Sequence, residues 1–174
     1  GAGGLSKTLD AYEKLGMPKL GAYSDKAQAD TASVTLVELK GMKFALFNYT
    51  YDTNGLPVPE PYYVNLQDST EIKKHIRRRI IIALPHWGIE YVLAPVAEQK
   101  NYAKMMFREG VNAIIGGHPH VPEEGYIYVR RTQAPYIKDS VERILFYSMG
   151  NYISNMSRSG WTSTGMFITL SFTR

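Results

Sequence analysis

The chain has 174 residues, 44% hydrophobic and 21% charged, enough for one domain with its own core. A formal net charge of +4 and a pI near 9.2 permit an acidic partner, but no long basic stripe, zinc-finger spacing or aromatic-basic signature points to nucleic acid. The absence of cysteine excludes disulfides and thiolate metal sites within these residues, and their pattern predicts neither a signal peptide nor a membrane span among them.

Leu5 to Leu15 predicts an amphipathic helix with Leu5, Leu9, Tyr12 and Leu15 on one face, and Gly16 suits its C-terminal cap. Lys19 to Tyr23 predicts a short strand. Asp25 to Thr31 is polar and predicts a loop. Val34 to Leu39 alternates as a strand does, with Val34, Leu36 or their neighbours facing a core. Lys40-Gly41-Met42-Lys43 fits a hairpin turn, and Phe44 to Tyr51 the returning strand. Asp52 to Pro61, rich in Pro, Gly, Asn and Asp, predicts a loop. Leu66 to Arg78 predicts a helix with Asp68 or Ser69 as its N-cap, Ile72 and Ile76 on its buried face, and His75 on its surface. Its passage into the next strand near Arg77 to Arg79 lacks the polar turn expected there.

Arg79 to Leu84 is a β-branched apolar run closed by Pro85-His86-Trp87-Gly88. Val96 to Glu109 carries a helical pattern, with Val96, Ala97, Ala103, Met106 and Phe107 on one face. Ile114-Ile115 then ends a second buried strand and opens into Gly116-Gly117-His118-Pro119-His120. Strand, helix and strand within about 30 residues predict a right-handed βαβ unit. His86 and His118 then lie at the carboxyl edge of one parallel sheet, where ligands bind in open α/β folds. Gly116 and Gly117 allow a sharp turn and a close approach. Pro119 favours an extended path, which would point His118 and His120 to the same side. Three converging imidazoles suit a divalent metal. The plainer reading, histidines in surface loops, accounts less well for two loops meeting at one edge. Tyr126 to Val129, Ile144 to Tyr147 and Met166 to Phe172 predict further strands, with a loop from Pro135 to Ser140.

Three motifs in this order, His86-Trp87-Gly88-Ile89-Glu90-Tyr91, Gly117-His118-Pro119-His120-Val121 and Phe146-Tyr147-Ser148-Met149-Gly150-Asn151, resemble the CapA-type capsule or poly-γ-glutamate biosynthesis proteins. That family resembles the calcineurin-like metallophosphoesterases. The resemblance covers nearly the whole chain as a single domain, residues 1–174. It implies an α/β fold: a metallophosphatase-like sandwich of two mixed β-sheets flanked by helices. It also implies His86, His118 and His120 as metal ligands. Two ions of manganese, iron or zinc are expected in the full-length protein, roughly 3.5–4 Å apart, able to generate a nucleophile and stabilise a phosphoryl oxygen. Glu90 could orient His86 or serve as an acid/base group. Asn151 could hydrogen-bond a ligand or cap the turn after its strand. Trp87 is expected to pack or wall the pocket and Tyr147 to lie in the core. Asn112 stands where the family usually shows aspartate.

The family's Asp-x-His and Asn-His motifs and its first strands are not found from Gly1 onward. The expectation is therefore a domain incomplete at its N-terminus within a longer protein. Alone it would hold at most one ion and hydrolyse phosphodiesters poorly. The leading functional expectation is a metal-dependent hydrolase-like domain in surface-polymer synthesis or export. Its substrate would be an anionic polymer or a phosphoester, and its partners other capsule-assembly proteins. The alternative is a non-catalytic polymer-binding component of a capsule-assembly complex. The resemblance implies an extracytoplasmic, cell-envelope location, with membrane attachment only through segments not in this chain.

Overall fold

The two β-branched runs flanking the central helix pair in parallel as neighbours in one sheet, and the helix covers the core they share. The computed structural model describes residues 2–66, 79–130, 141–156 and 160–172. In chain order the elements are helix α1 (Ala2–Lys14), strand β1 (Ala22–Tyr23), helix α2 (Lys26–Ala32), β2 (Thr35–Leu39), β3 (Met42–Thr50), β4 (Tyr63–Val64), β5 (Ile80–His86), helix α3 (Ala97–Arg108), β6 (Ala113–Ile115), β7 (Gly125–Arg130) and β8 (Val141–Phe146). A short 3₁₀ turn follows at Gly160–Ser163. Six strands form a mixed sheet in the order β2-β3-β5-β6-β8-β7. The inner four, β3, β5, β6 and β8, run parallel, and β2 and β7 pair antiparallel at the two sides. A second, two-stranded sheet joins β1 to β4. This α/β arrangement of two sheets and helices is compatible with a metallophosphatase-like sandwich.

Because the inner strands are parallel, their carboxyl ends share one edge. Thr50, His86, Ile115 and Phe146 each end a strand there. The core beneath contains Phe47 and Tyr49 from β3, Ile81 and Ala83 from β5, Ile114 from β6 and Leu145 from β8, covered by Ala103 and Met106 of α3. The helical period explains that cover: Gln99, Ala103 and Met106 fall on one face and are the buried residues of α3.

Three strand ends are locked together at a single buried point. The Trp87 indole N–H, just past β5, donates to the carbonyl of Tyr147, just past β8, at 2.8 Å. Between them runs Gly116, just past β6. A Cβ at Gly116 would collide with the Tyr147 carbonyl oxygen and the Trp87 indole nitrogen. Trp87 and Tyr147 are both buried, which bears out packing and core roles for them.

The expected hairpin is present. Leu39 pairs with Met42, and Lys40 and Gly41 both have positive φ, the two-residue turn whose twist matches the strands. Gly16 caps α1 at φ +60, although Tyr12 and Leu15 are exposed and only Leu9 is fully buried. Leu36 is likewise exposed.

Two expectations fail. Asp25 to Thr31 is not a loop: Asp25 is the N-cap of α2, and its carboxylate accepts from the Gln28 backbone N–H at 2.7 Å. The Asp-x-x-Gln spacing is a capping signal that polar composition hides. Met166 to Phe172 is not a strand of either sheet. Its burial alternates, and Phe172 packs edge-on against Phe44. Alternation reports a packed face, but a strand also needs backbone pairing, and no ladder joins this segment to a strand among the described residues. The helix expected over Leu66 to Arg78 and the loop at Pro135 to Ser140 lie outside the described residues, apart from Leu66, which bridges Thr50.

The locked strand ends predict a contrast between adjacent glycines. Gly116→Ala should cost about 1–3 kcal/mol, the usual range for forcing an atom into a packed interior. Gly117→Ala, where an added Cβ meets nothing within 4 Å, should change stability by less than about 0.5 kcal/mol. Chemical denaturation of both variants checks the pair.

Candidate metal centre

The loops leaving β3, β5, β6 and β8 carry the candidate residues. Backbone hydrogen bonds stitch these loops before any side chain is considered. Tyr51 N–H donates to the His86 carbonyl at 3.0 Å, Trp87 N–H to Gly117 at 3.1 Å, and Tyr91 N–H to Pro119 at 2.8 Å. The loop holding His86 and Glu90 is thereby fixed against the loop holding His118 and His120.

The three histidines converge as expected. The rings of His86 and His118 lie 4.5 Å apart, and those of His118 and His120 6.1 Å apart. The means of convergence differs from the extended path read from Pro119. His118 has φ +104 and His120 φ +61, so the backbone folds back at both residues. Tyr91 opposite has φ +67. Such conformations cost a non-glycine residue about 1–3 kcal/mol each and concentrate at functional sites. His75 lies outside the described residues.

Glu90 joins the cluster directly. Donor atoms of Glu90, His118 and His120 all lie within 4.8 Å of one another, a group of the size and type that can hold a metal ion. His86 stands beside this group, against His118, and is not part of it. The tyrosines Tyr51 and Tyr91, which the sequence did not single out for the site, pack on the rings of His118 and His120 at 5.3 and 5.9 Å.

Asn151 determines which nitrogen of His120 is available. Its amide nitrogen donates to the carbonyls of Thr162 at 2.9 Å and His120 at 3.2 Å. The amide oxygen is therefore the atom facing His120 Nδ1 at 2.9 Å. An amide oxygen only accepts, so Nδ1 carries the proton and Nε2 is left with its lone pair. That lone pair faces the Glu90 carboxylate, 3.7 Å away. Two acceptors turned towards each other repel unless a cation or a proton lies between them. The donor set therefore fits a divalent ion, and the same two atoms can alternatively share a proton as an ion pair.

The electrostatics favour ligation. Desolvation lowers the pKa of His86, and the neighbouring His118 and His120 lower it further against an opposing pull from Glu90. Desolvation also lowers that of His118, with Glu90 opposing and His120 assisting. Both rings thus stay neutral, the form that binds metal, to below the ordinary histidine value of 6.5.

Under the loops lies a buried pair not anticipated from the sequence. Gln99 of α3 donates to Glu123 Oε2 at 2.7 Å, and its own amide oxygen accepts from Val96 N–H at 2.8 Å. Gly88, at φ +92, rests on the Gln99 amide so closely that a side chain there would strike it. Gln99 therefore braces both the His86–Glu90 loop and the segment after His120. Glu123 Oε1 is buried without a hydrogen-bond partner among the described residues. Burial pushes the Glu123 carboxyl up to about 7, with Glu124 adding to the rise and Gln99 and Lys100 opposing it. Nothing in the pattern Glu123-Glu124 marks one as buried. Asn112 has a structural part: its side-chain oxygen accepts from Ile81 N–H at 2.9 Å, fixing the start of β5 against the approach to β6.

Glu123 predicts a pH dependence of stability. Its folded pKa is raised, so the folded state holds the proton more tightly. The contribution is fully present below the unfolded value of 4.5 and is lost as pH rises through about 7. Relative to Glu123→Gln, the natural protein should lose at most on the order of 3 kcal/mol between pH 4.5 and 8, since each unit is worth about 1.4 kcal/mol. Melting curves of both proteins across that range check it.

Comparison with known proteins places the chain. Residues 1–156 match the model of the bacterial capsule synthesis protein PGA_cap. The chain is 27% identical over 176 residues to the PGA biosynthesis protein CapA of Bacillus subtilis (strain 168), covering 94% of this chain and 41% of that protein. It is 24% identical over 175 residues to the capsule biosynthesis protein CapA of Bacillus anthracis, covering 94% of this chain and 38% of that protein. The chain thus spans about two-fifths of the length of these relatives. With its three motifs in order and the family model matched over most of its length, the chain belongs to the bacterial capsule synthesis protein family PGA_cap.

Proposed function

We propose that the chain supplies one wall of a divalent-metal centre in a phosphoesterase-like protein of capsule or poly-γ-glutamate biosynthesis. The substrate in this reading is an anionic surface polymer or a phosphoester. The observation that carries it is the facing of His120 Nε2 and the Glu90 carboxylate, with His118 closing the group. An ion of manganese, iron or zinc bound there would act as a Lewis acid on a phosphoryl or carbonyl oxygen.

The chain's own residues have distinct parts. His118, His120 and Glu90 provide the donors. Asn151 is a positioning residue: it fixes the His120 tautomer and ring direction, and partners of this kind support metal affinity. His86, beside His118 and held neutral, is placed either to ligate or to contact the substrate. Glu90, nearly half exposed, can also pass a proton to a leaving group. Tyr51 and Tyr91 limit ring rotation on two sides. Glu90, His118 and His120 are the one three-donor group among the described residues, so a second ion would draw on donors elsewhere in the whole protein.

The family's role in capsule synthesis supports a place in the cell envelope, and we extend the proposal to an extracytoplasmic site. No helix among the described residues is long and apolar enough to cross a membrane, so in this reading membrane attachment comes through other segments.

In the whole protein, His118→Ala or His120→Ala should abolish metal-dependent hydrolysis. Asn151→Ala should leave the fold intact and weaken metal affinity about 10–100-fold. His118→Gly should lose the metal while stability holds or rises by about 1 kcal/mol, because glycine accepts φ +104 without strain. Elemental analysis and hydrolysis of a chromogenic phosphodiester read metal and activity, and chemical denaturation reads the fold and stability of the Asn151→Ala and His118→Gly proteins. A whole protein that is metal-free and inactive would overturn the hydrolase reading in favour of non-catalytic polymer binding.

A further inference from the structure

Helix α3 carries Lys100, Lys104 and Arg108 at successive helical turns. Residues four apart lie on one face, so the three cations form a row about 12 Å long. No acidic residue stands three or four positions from any of them in either direction. Like charges at this spacing weaken a helix, so the row works against the stability of the element that bears it. Arg143 of β8 faces the same row, held by a hydrogen bond to the Phe107 carbonyl and by stacking over the Phe107 ring. Among the described residues no carboxylate lies within salt-bridge distance of Lys100, Lys104 or Arg108.

Between the helix and β8 these cations rim a groove of about 480 Å³. Its floor is Ala103, Phe107, Leu145 and Tyr147. One end approaches the histidine edge: Gln99, next to Lys100, clasps Glu123, and Tyr147 follows β8. The other end lies at Arg108 and Arg143, near the opposite edge of the sheet. A cationic rim over an apolar floor matches a chain that alternates anionic groups with hydrocarbon. It matches a compact, fully hydrated anion less well, since such an anion gains nothing from the floor.

We propose that this groove binds a linear polycarboxylate, an extended polymer of the polyglutamate class, and leads it towards the edge that carries Glu90, His118 and His120. The choice of polymer rests on the reading of the protein as acting in surface-polymer synthesis. The groove itself rests on geometry and charge, and requires no metal.

The test uses the whole protein in the presence of a metal chelator, so that failure of the metal centre cannot affect it. Binding of γ-linked polyglutamate of defined length is measured against salt concentration. The comparison is the triple variant Lys100→Gln/Lys104→Gln/Arg108→Gln, and the competitors are polyphosphate of equal charge and vesicles of anionic phospholipid. The natural protein should bind polyglutamate in a salt-sensitive manner and more tightly than polyphosphate. The variant should bind at least tenfold more weakly. Its cooperative thermal unfolding and far-UV circular dichroism should be retained, which separates lost binding from misfolding. Unaltered affinity in the variant, equal or tighter binding of polyphosphate, or recruitment to vesicles in preference to polymer would each overturn the proposal. Polymer binding that survives in a protein with no hydrolytic activity would leave the groove standing and count against the hydrolase reading alone.

Discussion

The bond from the Trp87 indole to the Tyr147 carbonyl, drawn across the bare backbone of Gly116, holds the working edge of the sheet together. Each partner directly follows a different parallel strand. Parallel strands place their ends on one edge but do not by themselves fix the loops that leave them. Here the loops are fixed because a buried N–H must find an acceptor, and the Trp87 indole finds it in the Tyr147 carbonyl. His86, Gly117-His118 and Ser148 then depart from a rigid base. Ser148, fully buried, extends that base by donating to the Val121 carbonyl at 2.8 Å and accepting from Gly150 N–H.

On this base the site is assembled from constraints on hydrogen bonding more than on shape. Asn151 spends both amide protons on backbone carbonyls, so its oxygen can only accept from His120. The consequence passes through the imidazole to Nε2 and from there to Glu90. Strain at His118 and His120 is tolerated because the flanking backbone is already tied, by Gly117 on one side and by the Gln99–Glu123 pair beneath. The cationic groove along α3 lies outside this chain of constraints, yet its end at Lys100 adjoins the same buried pair.

Much of this was legible in the sequence where the signal is local. The βαβ unit could be read because strand length, helix period and crossover length are properties of one continuous segment. The three histidines and Glu90 could be placed together because parallel topology puts strand ends on one edge. The choice for Asn151 between ligand and cap could not be made, since it depends on Thr162 and His120, which no spacing rule connects to it. The path through His118-Pro119-His120 departs from the extended one because positive φ at histidine is imposed by tertiary ties and not by the residue itself. Gln99 and Glu123 meet only after folding, and a buried glutamate looks the same in sequence as its exposed neighbour Glu124. The basic row leaves no contiguous run in the sequence, because a helix brings every fourth residue into line and Arg143 arrives from a distant strand. Asp25 to Thr31 is the opposite case: its polar composition suggests a loop, yet the local capping pattern for a helix is present.

The metal centre depends most on His120 offering Nε2, and not Nδ1, to a cation shared with Glu90. Long-range proton–nitrogen NMR of the histidine rings, recorded on the whole protein before and after addition of zinc, measures this directly. The expected result is a protonated Nδ1 on His120 in both states and a large shift of Nε2 alone when zinc is added. A shift at Nδ1, or a His120 spectrum unchanged by zinc, would contradict it.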